Sequence, residues 1–115
     1  MGTGIVSGIP RATAQPIDPT FQQAMSAYQA GRNQVAIKLF SEIVKRSPKD
    51  VRAHYFLGLA YQRVGADKKA IAMFRRILKL DPDYRDADQA LGLTLYRLKQ
   101  YRAAERRFRK ILRRD

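Results

Sequence analysis

The chain has no cysteine, no tryptophan and a single histidine, and its 115 residues hold only 10 acids against 23 lysines and arginines. Without cysteine there is neither a disulfide framework nor a thiolate metal site, and the redox compartment stays open. His54 stands without a second histidine or clustered acids, so no metal-ligand set can be assembled around it. No glycine-rich phosphate loop and no nucleophile paired with a base occur anywhere. The expectation is a protein without enzymatic activity, cofactor or metal. No apolar run approaches the roughly eighteen residues of a membrane span, and no run reads as a strand.

What the chain does have is an internal period. Phe40, Phe74 and Phe108 stand 34 residues apart; an alanine precedes each by four (Ala36, Ala70, Ala104) and an isoleucine follows each by three (Ile43, Ile77, Ile111). The same register joins Ala24, Gly58 and Gly92, then Pro48 and Pro82, then Gly31 and Gly65. Small, aromatic and helix-breaking positions that recur together mark a solenoid, in which each unit buries its apolar face only against its neighbours.

The middle copy reads Leu57-Gly58-x-x-Tyr61, Ala70-x-x-x-Phe74 and Pro82, with His54 where a tryptophan is often found. This resembles the tetratricopeptide repeat. The first copy departs from the pattern at Gln23-Ala24 and Ala27 but keeps Ala36, Phe40 and Pro48. The third keeps Leu91-Gly92, Ala104 and Phe108, and has Leu95 at the tyrosine place. The resemblance implies an all-α, right-handed α-solenoid of three helix-turn-helix repeats, at 17–50, 51–84 and 85–115, in a domain spanning 17–115. Three repeats are about the minimum for a stack with a continuous core.

Local signals agree with six helices, expected near 19–30, 34–46, 51–64, 68–80, 85–98 and 101–113. Asp18 before Pro19 is an N-cap followed by the proline favoured at a first helical position, and Asp50 and Asp67 are further N-cap candidates. Gly31 and Gly65 sit where a left-handed residue closes a helix. Pro48 and Pro82 push Ser47 and Asp81 away from helical angles and so stop the second helix of the first two repeats.

Residues 1–16 differ in composition, with three glycines, two prolines and one charge, Arg11. They read as a flexible arm or an appended tail. Ala12-Thr13-Ala14 resembles a signal-peptidase site, but the charged start and the apolar stretch that should precede it are missing. The protein is expected in the cytoplasm, with a secreted or periplasmic place only for a chain shortened at its front. Met1-Gly2 resembles a myristoylation start, yet Val6 fills the place that needs serine or threonine.

Charge climbs along the chain: +1 for residues 1–16, +2 for 17–50, +4 for 51–84 and +6 for 85–115, out of a total of +13. The last helix carries Arg102, Arg106, Arg107, Arg109, Lys110, Arg113 and Arg114 against one acid, Glu105. Arg102, Arg106, Arg109 and Arg113 recur along one face. Such a face would attract nucleic acid or anionic lipid, with an affinity that falls steeply with salt. The plainer reading is a solvated outer surface whose arginine stems cover apolar area.

In tetratricopeptide folds the first helix of each repeat lines the concave surface. The resemblance therefore turns Phe21, Met25 and Tyr28 inward in repeat one; Arg52, Tyr55, Phe56, Leu59 and Arg63 in repeat two; and Leu93, Tyr96 and Arg97 in repeat three. Family members that hold an acidic chaperone tail use a clamp of lysine, asparagine and arginine, because a carboxylate needs several converging donors. The matching places here hold Phe21, Met25, Phe56, Asp86 and Ala90. The implied guest is instead an apolar or amphipathic peptide or helix with acidic flanks, anchored on the aromatic and apolar groove, with Arg52, Arg63 and Arg97 at its rim. The alternative for each aromatic is packing between helices, and His54 occupies a repeat-packing position.

Two further expectations concern self-association. Ile5, Val6 and Ile9 of the arm are apolar enough to enter the groove of the same or a neighbouring copy. Glu105 and Arg107 replace Ile71 and Met73, as befits a terminal repeat, while the last repeat keeps apolar surface around Leu112 that would dock a partner or a second copy. The expected function is a scaffold for protein–protein interaction; the alternative is an RNA- or ribosome-associated, or anionic-surface-binding, module using the basic last helix.

Overall fold

The computed structural model describes residues 19–114, and among them are six α-helices and no strand. The expectations for residues 1–18, the Asp18 cap and the arm included, fall outside the described residues. The helices are α1 (Pro19–Gln29), α2 (Asn33–Arg46), α3 (Val51–Arg63), α4 (Asp67–Leu80), α5 (Arg85–Arg97) and α6 (Tyr101–Arg114). No end differs from its expected place by more than one residue.

The helices pair as three hairpins, α1 with α2, α3 with α4 and α5 with α6, and each hairpin packs on the next through α2 against α3 and α4 against α5. One turn closes all three hairpins. Arg32, Ala66 and Gln100 donate their backbone N–H to the carbonyls of Ala27, Tyr61 and Leu95 at 2.8, 2.9 and 2.9 Å. That long return bond requires a left-handed residue just before it. Gly31 and Gly65 supply it at φ 79°, and Lys99 adopts φ 64° in the third turn, where its Cβ makes the conformation costly.

The helix starts follow the sequence at one place and depart from it at another. Asp50 caps α3, its Oδ1 accepting from the Ala53 N–H at 3.1 Å. Asp67 is no cap: Ala66 holds that position and Asp67 is the first residue of α4. The hairpin turn leaves no room for a longer approach, since Ala66 is already bonded back to Tyr61. As a helical first residue Asp67 instead sets its charge against the positive end of the α4 dipole. Ser47 (φ −132°) and Asp81 (φ −145°) are non-helical, as the following prolines require.

The repeat columns become the core. Ala36, Phe40 and Ile43 of α2 pack with Ala53, Leu57 and Ala60 of α3; Ala70, Phe74 and Ile77 of α4 pack with Ala87 and Leu91 of α5. Phe40 and Phe74 are fully buried. Gly58 explains how α4 comes so close to α3, because a Cβ there would stand 2.5 Å from Phe74 Cε1. Gly92 does the same for Phe108, at 2.8 Å.

Candidate partner-binding groove

Met25, Leu59 and Leu93 occupy the same place on α1, α3 and α5, one repeat apart. Met25 and Leu59 are half-buried and Leu93 is 51% exposed, so the apolar row opens to solvent at the third repeat. Tyr96, one turn beyond Leu93, is 59% exposed and meets Tyr101 edge-on at 5.3 Å between ring centroids.

The other aromatic candidates are drawn into packing. Phe21 meets Phe40 edge-on at 5.8 Å, and Phe56 stacks on the same Phe40 ring at 5.8 Å with planes 17° apart. Tyr28 and Tyr55 each meet Phe56 edge-on at 5.5 Å, and Tyr55 continues to Phe74 and Tyr84 at 6.1 Å. Phe21, Tyr28, Tyr55 and Phe56 thus form a half-buried aromatic spine that joins repeats one and two as well as a surface. Burial raises the Tyr55 phenol above its ordinary value of 10.0, with Asp86 adding to the effect. Tyr84 moves the same way for the same two reasons, opposed in part by Arg52.

Each of the three rim arginines bridges helices. The Arg52 guanidinium lies 4.4 Å from the centre of the Phe21 ring, and that of Arg63 lies 3.6 Å from the Tyr28 ring. Arg63 Nη1 also donates to the Tyr28 carbonyl at 2.6 Å and reaches Asn33 Oδ1 at 3.5 Å. Arg97 repeats that relation one unit later by pairing with Asp67. Between the hairpins, Gln62 Nε2 donates to the Thr94 hydroxyl, which donates in turn to the Ala90 carbonyl at 2.8 Å.

The basic helix divides in two. Arg102, Arg106, Arg109 and Arg113 are exposed, with Arg109 paired to Glu105 at 3.1 Å. Arg107 and Lys110 turn inward, and this corrects their assignment to a solvated binding face. Both reach the fully buried Asp88, Arg107 Nη1 at 3.2 Å from Oδ1 and Lys110 Nζ at 3.1 Å from Oδ2, and Lys110 also donates to the Pro82 carbonyl at 2.8 Å. A buried carboxylate needs such partners, so these two cations serve the third repeat's interior. The Arg114 side chain falls outside the described residues.

Asp88 and Thr94 are the residues that reading the sequence missed. Asp88 holds the repeat position of His54, which is also buried, its Nδ1 donating to the Asp50 carbonyl at 2.9 Å. An acid at that packing position, beside a helix crowded with cations, was the available signal. No helix among the described residues is long and apolar enough to cross a membrane.

Residues 21–85, more than half the chain, match a family model described as tetratricopeptide repeat. No curated protein matches the chain. Among solved structures, the MamA RS-1 ArsTM double mutant is 26% identical with a TM-score of 0.79, over 82% of this chain and 53% of that one. MamA from residue 41 to its end, from Desulfovibrio magneticus RS-1, is 23% identical with a TM-score of 0.81, over 90% and 59%. MamA AMB-1 is 17% identical with a TM-score of 0.79, over 90% and 57%. The chain therefore spans between 53% and 59% of the length of these three structures, and what they share with it is the fold.

Proposed function

The chain belongs to the tetratricopeptide repeat family, and from that premise we propose that it is a non-enzymatic scaffold that binds an apolar or amphipathic peptide or helix along the inner face of α1, α3 and α5. The observation that carries this reading is the Met25, Leu59 and Leu93 row, apolar in all three repeats and open to solvent at Leu93. The half-buried faces of Tyr28, Tyr55 and Phe56 extend the row, and Arg52, Arg63 and Arg97 frame it with positive charge suited to acidic flanks of the guest. The same reading keeps residues 17–115 as the binding domain and 1–16 as an arm attached to it.

Tyr55 and Phe56 hold the spine together, so their removal would confuse binding with folding. Leu93 is the cleaner probe. Pull-down from native lysate, at low and high salt and with nuclease, should recover a protein with the wild type and lose it with Leu93→Glu. Recovery that ignores Leu93→Glu but disappears with salt or nuclease would transfer the function to the exposed arginine face of α6.

A further inference from the structure

The seam where α2, α3 and α4 meet has a counterpart one repeat later, where α4, α5 and α6 meet. At the first seam Tyr61 and Met73 pack on the cluster that holds Leu57, and the Lys69 ammonium stands 5.7 Å from the centre of the Tyr61 ring. At the second, Leu95 takes the place of Tyr61 and Ala103 that of Lys69. The smaller side chains leave a hollow of about 200 Å³ with an apolar floor of Leu78, Leu91, Leu95 and Ala103. Its remaining walls are Arg75, Arg106 and Arg107, where the first seam has Ser41, Ala72 and Met73. No acid lines it.

The fold does not require these cations, because the first seam is built without them. Arg107 has a structural task in Asp88, which occupies its Nη1. Arg75 and Arg106 have none: both are exposed, and neither has an acidic partner among the described residues. Like charges around one hollow repel, and an anion seated between them would relieve that repulsion.

We propose that this hollow binds a phosphate monoester, with its phosphate between Arg75 and Arg106 and its first carbons on Leu91 and Leu95. Two unpaired guanidiniums are matched by two negative charges. A carboxylate brings one charge and two oxygens, enough for a single bidentate pair, whereas a phosphate monoester brings nearly two charges and three strong acceptor oxygens. The N–H groups of Arg107 that Asp88 does not take complete the donor set. A phosphodiester of nucleic acid carries one charge per phosphate and matches less well. The apolar floor favours an ester over free phosphate, which has no carbon to bury there. The site shares no residue with the Met25, Leu59 and Leu93 row.

Isothermal titration calorimetry of the full chain with phenyl phosphate tests this, at about pH 7.5, above the second phosphate pKa of about 6. Arg75→Ser with Arg106→Ala installs the side chains of the first seam and should weaken binding at least about tenfold. Ala103→Leu fills the hollow while keeping every arginine, and should weaken it too. Arg102→Ser with Arg113→Ala removes the same charge from exposed places outside the hollow, and should change affinity less than about twofold. Inorganic phosphate and benzoate should each bind more weakly than phenyl phosphate, and circular dichroism should show an unaltered fold in every variant. Absence of binding, equal loss with the two arginine pairs, or indifference to Ala103→Leu overturns the proposal. Equal affinity for inorganic phosphate overturns the ester. A uridine oligonucleotide that displaces phenyl phosphate and is weakened alike by both arginine pairs would instead make the hollow part of a nucleic-acid face.

Discussion

Gly58→Ala adds one methyl group where the two helices of the second hairpin touch. The new Cβ would stand 2.5, 2.8 and 3.1 Å from Cε1, Cζ and Cδ1 of Phe74, distances that cannot be held without movement. Phe74 is fully buried and lies against Tyr55, so its ring has nowhere to turn. Overpacking of this kind costs roughly 1–3 kcal/mol, and so hard a contact with an immobile ring belongs in the upper half of that range. Alanine in place of glycine returns about 1 kcal/mol of helix propensity, leaving a net loss of about 1–2 kcal/mol. For a domain of this size that lowers Tm by roughly 4–16 °C. Gly92→Ala is the internal control. Its Cβ would meet Phe108 Cε1 at 2.8 Å, but that ring borders an open cleft and can swing outward. Its expected change is within about 0.5 kcal/mol of zero, because the propensity gain offsets a relieved clash. Thermal unfolding followed by circular dichroism reads both. A Gly58→Ala protein that melts no earlier than the wild type, or a Gly92→Ala protein that falls as far, would refute the packing argument.

Three further outcomes follow from the same geometry. Lys99→Gly removes a left-handed strain that the two preceding turns avoid, and should stabilise the protein by about 0.5–1 kcal/mol in urea unfolding; a destabilised variant would contradict the turn assignment. Asp88→Ala strands Arg107 and Lys110; because these retain 30% and 26% exposure, the loss should be about 2 kcal/mol, below the cost of breaking a wholly buried pair. An unchanged denaturation midpoint would show that the triad holds nothing. Tyr55 and Tyr84 ionise later in the folded chain than in the unfolded one, so their contribution is intact below pH 10 and is lost as pH rises above it. Tyr55→Phe with Tyr84→Phe should therefore show a shallower fall in stability than the wild type as pH rises above 10.0, the ordinary value for the phenol, and an equal fall would mean that other groups set the alkaline limit.

Periodicity made most of the fold legible before any coordinates. The columns at Ala36, Phe40 and Ile43 and their repeats specify which faces pack, Gly31 and Gly65 mark the turns, and Pro48 and Pro82 mark the stops. Lys99 shows why that logic held where its residue type failed: the turn is imposed by the hairpin on either side, and tertiary packing overrides a local preference. Asp67 misled for a related reason. An aspartate near a helix start reads as a cap, but the closing bond of Ala66 to Tyr61 fixes the start one residue earlier than a cap would need. The site was harder to read, because position on a helix face does not reveal how far neighbouring side chains lean over it. Phe21 and Phe56 share a face with Leu93, yet Phe40 draws both rings into the joint between helices. Asp88 escaped notice because its partners, Arg107 and Lys110, lie on the following helix, where a run of cations reads as solvated surface.

The most direct test of the groove is a methyl NMR titration of the full chain with the partner recovered by pull-down. Methionine and leucine methyls are labelled, and Met25, Leu59, Leu93 and Leu112 are assigned by substitution. If the partner lies along the inner face, Met25, Leu59 and Leu93 shift together at one stoichiometry, and Leu93→Glu abolishes the shifts of the remaining two. If those three methyls stay still while the partner binds, the inner face is not its site and the proposed function is wrong.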